Sequence, residues 1–156
     1  MKLAEGLALR ADATRRVEQL RSRIVGNARY QEGEPAPEDA AELLEEAGRV
    51  LDELERLIRG INRTNSSSTI GEGITLTDAL ARRDVLRLRH RVVTDAADAA
   101  AGRDQRGMGR QLRSELKMLS ALPVGHLRAQ ADELAREIRE IDVRIQRANW
   151  ESDLLE

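Results

Sequence analysis

Seven residues keep a strict rhythm: Leu127, Ala131, Leu134, Ile138, Ile141, Ile145 and Ala148 are spaced 4, 3, 4, 3, 4, 3. A repeat of this kind lays its side chains along one stripe of an α-helix. It demands a partner helix that crosses with a left-handed twist. The pattern predicts a helix over 124–148. Arg136 with Glu140, and Glu140 with Arg144, add opposite charges four residues apart, each pair worth about 0.3 kcal/mol.

Composition extends the argument to the rest of the chain. There is no Phe, with one Tyr and one Trp, while charged residues make up 35%. A globular β protein draws on aromatics, whereas helices packed along Leu seams do not. With 156 residues, a single helical domain over 1–156 is expected.

A first helix is predicted over about 2–27, with Leu3, Leu7, Ala11, Val17, Leu20 and Ile24 on one stripe and the polar Thr14 in its gap. "GNARYQEGEPAPED" then reads as a loop of roughly ten residues. Helix two begins near Pro37, with Glu38 and Asp39 favourable at its N-terminus. Its seam holds Ala40, Leu43/Leu44, Ala47, Val50/Leu51, Leu54, Leu57/Ile58 and Ile61. Helix three starts near Thr75 or Thr77, where a threonine N-cap is expected, and Gly102 can stop it. Its inward set is taken as Leu76, Leu80, Val85, Leu88, Val92, Ala96 and Ala99. Residues 102–123 read mainly as loop. "SELKMLS" is compatible with a short strand against "STIGEGITL", whose Gly71-Glu72-Gly73 resembles a hairpin turn. In "NWESDLLE", Trp150, Leu154 and Leu155 are too apolar for a free tail and are expected to dock.

The fold class is therefore all-α. An elongated bundle of four long antiparallel helices with coiled-coil-like seams is expected, with a minor β-hairpin near 66–76 and 113–120 as an open addition. Long regular seams also point to a homo-oligomer. The net charge of −2 gives no global attraction to nucleic acid or to an anionic membrane. No cysteine is present, which excludes disulfides, thiolate metal sites and cysteine nucleophiles. "MKLAEGLALRADATRR" lacks the apolar run of an export signal. No window reaches the ~18 apolar residues of a membrane span. A cytoplasmic protein without membrane insertion is expected.

Catalytic constellations are sparse. Helical di-iron sites use Glu-x-x-His pairs, but Arg87 lies three residues before His90, and Pro123 lies three before His126. Glu42 and Glu45 give half of a magnesium-gathering carboxylate set, and no Glu-x-x-Asp follows. Ser66, Ser67 and Ser68 have no evident activating base. No metal or cofactor is expected. Arg82, Arg83, Arg87, Arg89 and Arg91 crowd one helix, yet only Arg83, Arg87 and Arg91 line up, and no aromatic platform accompanies them. Nucleic acid is a poor fit, and ion pairs to the acidic helix two are expected instead. The best site candidate is a partly buried polar cluster between helices two and three. It comprises Asn62, Arg63, Asn65, Asp84 and Arg87, with Arg91 beside it. Buried charges need partners and hydrogen bonds. Such a cluster would fix register, or line a small-molecule pocket.

"GINRTN", "LTDALARRDVLRLR" and "RIQRANWESDLLE" follow one another in an order that resembles a small bacterial family of single-domain proteins of unknown function, often labelled septicolysin. The resemblance runs from "KLAE" to "ANWESDLLE". It supplies no catalytic residues, and its label implies a membrane-active cytolysin. The residues themselves point to a non-enzymatic, self-assembling helical protein. A cytolysin and a small-ligand or nucleotide-binding protein are the alternatives.

Overall fold

The computed structural model describes residues 1–103 and 116–156. They form helices α1 (Leu3–Asn27), α2 (Ala40–Ser67), α3 (Leu76–Ala100) and α4 (Val124–Glu151). No sheet occurs among the described residues; isolated bridges join Lys2 to Asp153, Gln31 to Glu34 and Thr69 to Thr75. The residues fall into two compact units. One holds Met1–Leu76 and Arg147–Glu156, the other Thr77–Gln146.

In the first unit α1 and α2 pack side by side. Leu20, Leu43 and Ala47 form the centre of that contact, with Ile24 and Val50 against them. The buried stripe of α1 is Leu3, Gly6, Ala13 and Leu20. Ala11, expected inside, is exposed, and Leu7 is only half-buried. The seam passes through a glycine, which carries no hydrophobic signal, so the apolar spacing finds Leu3, Val17, Leu20 and Ile24 but turns too far at Ala11. The 28–39 connection is tied down at both ends. Arg23 grips Glu38 with two nitrogens, and Asn27 Oδ1 accepts from the Glu38 main-chain N at 3.1 Å. Asp39, rather than Pro37, starts α2, its carboxylate accepting from Ala41 N at 2.8 Å.

Helix α2 runs six residues beyond Ile61, through the polar run expected to interrupt it. The hydroxyls there bond back to the preceding turn. Thr64 donates to the Gly60 carbonyl at 2.8 Å, Ser66 to Arg63 at 2.9 Å and Ser67 to Arg63 at 3.0 Å. Polar side chains that satisfy themselves on their own helix do not end it. The next turn, Gly71-Glu72-Gly73, takes three consecutive positive φ values of 107°, 53° and 74°. Two of those positions suit glycine. The turn closes on the single Thr69–Thr75 bridge, so the expected strand over 66–76 reduces to a tight turn. Residues 116–120 form no strand either, and 113–115 lie outside the described residues.

In the second unit, the predicted α4 stripe faces inward: Ala131, Leu134, Ile141 and Ile145 are buried, and Leu127 and Ile138 are half-buried. Helix α3 differs from expectation. Its buried positions are Leu76, Ala79, Leu86, Val93 and Ala97. With half-buried Arg83 and His90 in the gaps, they step 3, 4, 3, 4, 3, 4. Val85, Leu88 and Val92, expected inside, are exposed. The helix ends as its glycine foretells. Gly102 adopts φ 77°, Gly102 N donates to Ala99 O, and Arg103 N donates to Asp98 O at 2.9 Å.

Candidate functional site

The most constructed feature of the first unit gathers α1, the end of α2 and residues 147–156. Main-chain bonds join the two distant segments: Leu3 N to Ser152 O at 3.0 Å and Leu154 N to Met1 O at 2.9 Å. Lys2 Nζ adds the Glu151 carbonyl at 3.1 Å and the Asp153 carboxylate at 2.8 Å. The hydrogen bond from Lys2 holds the Asp153 carboxyl below the usual aspartate range.

Leu154 then sits over two glycines. A Cβ on Gly6 would fall 2.9 Å from Leu154 Cδ2, and one on Gly60 would fall 2.6 Å from the Leu155 main-chain oxygen. At Gly60 only hydrogen lets the main chain settle this closely, whereas at Gly6 the neighbour is the movable end of a side chain. Thr64, fully buried, completes the seat. Its hydroxyl donates to Gly60 O and accepts from Leu155 N at 2.9 Å. Both capacities of the hydroxyl are used, which is what burial of a polar atom requires. Arg63 reaches from the same helix to the Glu156 main-chain oxygen at 2.5 Å. Docking of the Leu154 side chain thus matches expectation, whereas Leu155 is held by its main chain with its side chain 45% exposed, and Trp150 is 62% exposed. Thr64 was not among the candidate residues. Continuing the α2 seam from Leu57 and Ile61 by three more residues lands on it.

Beside this clasp lies a half-open groove of about 480 Å³ lined by Leu9, Arg56, Leu57, Arg63, Leu154 and other side chains. Its lining mixes apolar side chains with three arginines, Arg56, Arg59 and Arg63, and two acidic residues, Glu53 and Glu156. Arg56 has no ion-pair partner among the described residues, while Arg59 stands 3.7 Å from Glu55.

The residues of the polar cluster expected between helices two and three fall in both units. Asn62, Arg63 and Asn65 belong to the first unit, and Asp84, Arg87 and Arg91 to the second. Asn62, Arg63, Asp84, Arg87 and Arg91 are exposed, and Asn65 is half-buried. Arg63 turns to Glu156, Asp84 accepts from Arg83 at 3.0 Å, and Arg87 pairs with Asp142 at 3.0 Å. The buried polar group at the end of α2 is the neutral Thr64, whose desolvation costs far less than that of an arginine or aspartate. Three of the five arginines of α3 pair with α4, where the acidic helix two was expected: Arg82 with Glu137, and Arg83 and Arg87 with Asp142. Among the described residues no three His, Asp or Glu side chains gather into a metal-holding group.

Helix α3 also presents a second apolar stripe. Val85, Leu88 and Val92 are 53%, 56% and 67% exposed. At 3.6 residues per turn, each lies about 200° round the axis from the seam position two before it, half-buried Arg83, buried Leu86 or half-buried His90, so apolar side chains stand on opposite faces of the helix. Arg89 and Arg91, beside the stripe, have no ion-pair partner among the described residues.

Comparison with known proteins places the chain. A model described as Family of unknown function (DUF6847) matches residues 10–154. The chain belongs to that family. It is also similar to a functionally unknown conserved protein from Corynebacterium diphtheriae. That crystal structure shares 39% identity and a TM-score of 0.88, with 99% of each chain covered. No curated protein matches. The septicolysin label suggested by "GINRTN" and "RIQRANWESDLLE" finds no support in these matches; what stands is membership of the DUF6847 family and the all-α fold. Among the described residues no helix is long and apolar enough to cross a membrane.

Proposed function

We propose that this chain is a non-enzymatic, cytoplasmic helical protein that works by self-association. The observation that carries the reading is the stripe of Val85, Leu88 and Val92 on the face of α3 opposite its buried seam. Large contiguous apolar patches on soluble proteins mark interaction sites. Two apolar faces on one helix cost solubility unless both find cover. Light scattering tests the reading. A mass above the 17.4 kDa of one chain at micromolar concentration, restored to 17.4 kDa by Leu88→Glu, supports it. A mass of one chain throughout overturns it.

The groove beside Leu154 favours a second reading, a small ligand with an apolar body and an anionic group. Its volume falls within the ~300–1,000 Å³ common for such sites, and Arg56, Arg59 and Arg63 outnumber Glu53 and Glu156 in a lining shared with Leu9 and Leu57. A thermal-shift screen of carboxylates and phosphates decides it. Stabilisation by one compound, lost in Arg56→Ala, supports the site.

A further inference from the structure

We infer that the second stripe of α3 pairs with the same stripe of a second copy in parallel, in register, as a two-stranded coiled coil. This rests on the self-association reading and gives it a partner and an orientation. Ala81, Val85, Leu88, Val92, Asp95 and Ala99 step 4, 3, 4, 3, 4 along the exposed face of α3. In heptad terms Val85, Val92 and Ala99 occupy a positions, and Ala81, Leu88 and Asp95 occupy d positions. β-Branched residues at a with leucine at d favour two parallel strands.

The flanks agree. Arg82 and Arg89 are e positions; Asp84, Arg91 and Asp98 are g positions. In a parallel pair each g residue faces the e residue of the next heptad on the other helix. Asp84 then faces Arg89 of the second copy, and two-fold symmetry makes the contact twice. Asp84 accepts from Arg83 through Oδ1 alone, leaving Oδ2 for that partner. Arg91 faces the neutral Ala96, so no like charges meet across the flanks. Turning one copy round sets Ala81 against Val92, and although it brings Asp84 to Arg91 it also brings Arg82 to Arg89, a like-charge contact made twice. Asp95 meets its own copy in the parallel pair, a like-charge contact made once at the end of the stripe, and ends the apolar contact there. The interface is short, and the dimer is expected to dissociate in the micromolar range.

The chain has no cysteine, so single cysteines report orientation without background. A disulfide needs Cα atoms about 4.4–6.8 Å apart. The full-length Ala81→Cys variant, with its helicity checked by circular dichroism, is expected to cross-link to itself under mild oxidation. Mixed Ala81→Cys and Val92→Cys proteins are expected not to form the mixed disulfide. Asp84→Arg is expected to raise the dimer dissociation constant several-fold, and Asp84→Arg with Arg89→Asp to restore it. A dimer by light scattering that links residue 81 to residue 92 overturns the parallel pairing while leaving self-association standing. So does a dimer indifferent to the charge exchange. A chain that stays monomeric overturns both.

Discussion

The clasp of the first unit and the α3–α4 rim of the second solve one problem by opposite means. Each must fix where two separate segments meet. The clasp uses a buried neutral hydroxyl, two glycines and main-chain bonds. The rim uses charged pairs in which Arg82, Arg87 and Asp142 keep a third or more of each side chain in solvent. Desolvation explains the division of labour. A hydroxyl can go inside when both its bonds are made, whereas a guanidinium–carboxylate pair recovers little of its burial cost. The clasp should therefore respond to the loss of single atoms, and the rim to salt.

Thr64→Val keeps the shape and removes the acceptor for Leu155 N, so it should cost about 2 kcal/mol in urea unfolding. Thr64→Ser should recover most of that. A Val variant as stable as the parent would remove the hydroxyl from the account. Gly60→Ala comes next. Helix propensity gains about 1 kcal/mol, but the new Cβ meets a main-chain oxygen, and a net loss of about 1 kcal/mol is expected. Gly6→Ala is its control: there the Cβ meets the movable end of Leu154, so the change should be neutral or slightly stabilising. Equal effects at the two glycines would mean that the 147–156 segment is not seated as described.

Asp142→Asn, on the rim, should cost less than about 1 kcal/mol, with the difference fading in molar salt. Acid should have a small, distributed effect. Hydrogen bonds from Arg23, Arg136 and Lys2 hold the carboxyls of Glu38, Glu133 and Asp153 below their ordinary values. A carboxyl lowered in the folded state stabilises above its ordinary pKa and loses that contribution as pH falls through the lowered value. Thermal unfolding midpoints should be flat near neutrality and begin to fall below about pH 4.5. Glu38→Gln should shallow that fall.

How much the sequence disclosed follows the same division. The α4 seam was legible because each heptad position carries Leu, Ile or Ala. The α3 seam was not. Its true stripe contains Arg83 and His90, while Val85, Leu88 and Val92 draw the eye to the opposite face. The end of α2 was misjudged because Thr64, Ser66 and Ser67 look like loop residues until their bonds to the preceding turn are seen. Gly6 and Gly60 gave no signal, since they matter for what they lack. The polar cluster placed around Asn62, Asp84 and Arg87 was built from charge. The buried site was built from smallness and one hydroxyl.

The seat over Gly6 and Gly60 has a consequence in time. Synthesis runs from the N-terminus, so α1 and α2 are complete long before Leu154 and Leu155 emerge. Lys2 and Glu151, joined in the finished molecule, are 149 residues apart in the chain. At the 5–20 residues per second typical of synthesis, the seat stands open for roughly five to twenty seconds after α2 is made. Through that interval it can be filled by the matching segment of a neighbouring chain that has already been finished. Crowded polysomes would then yield exchanged dimers that dilute synthesis would not.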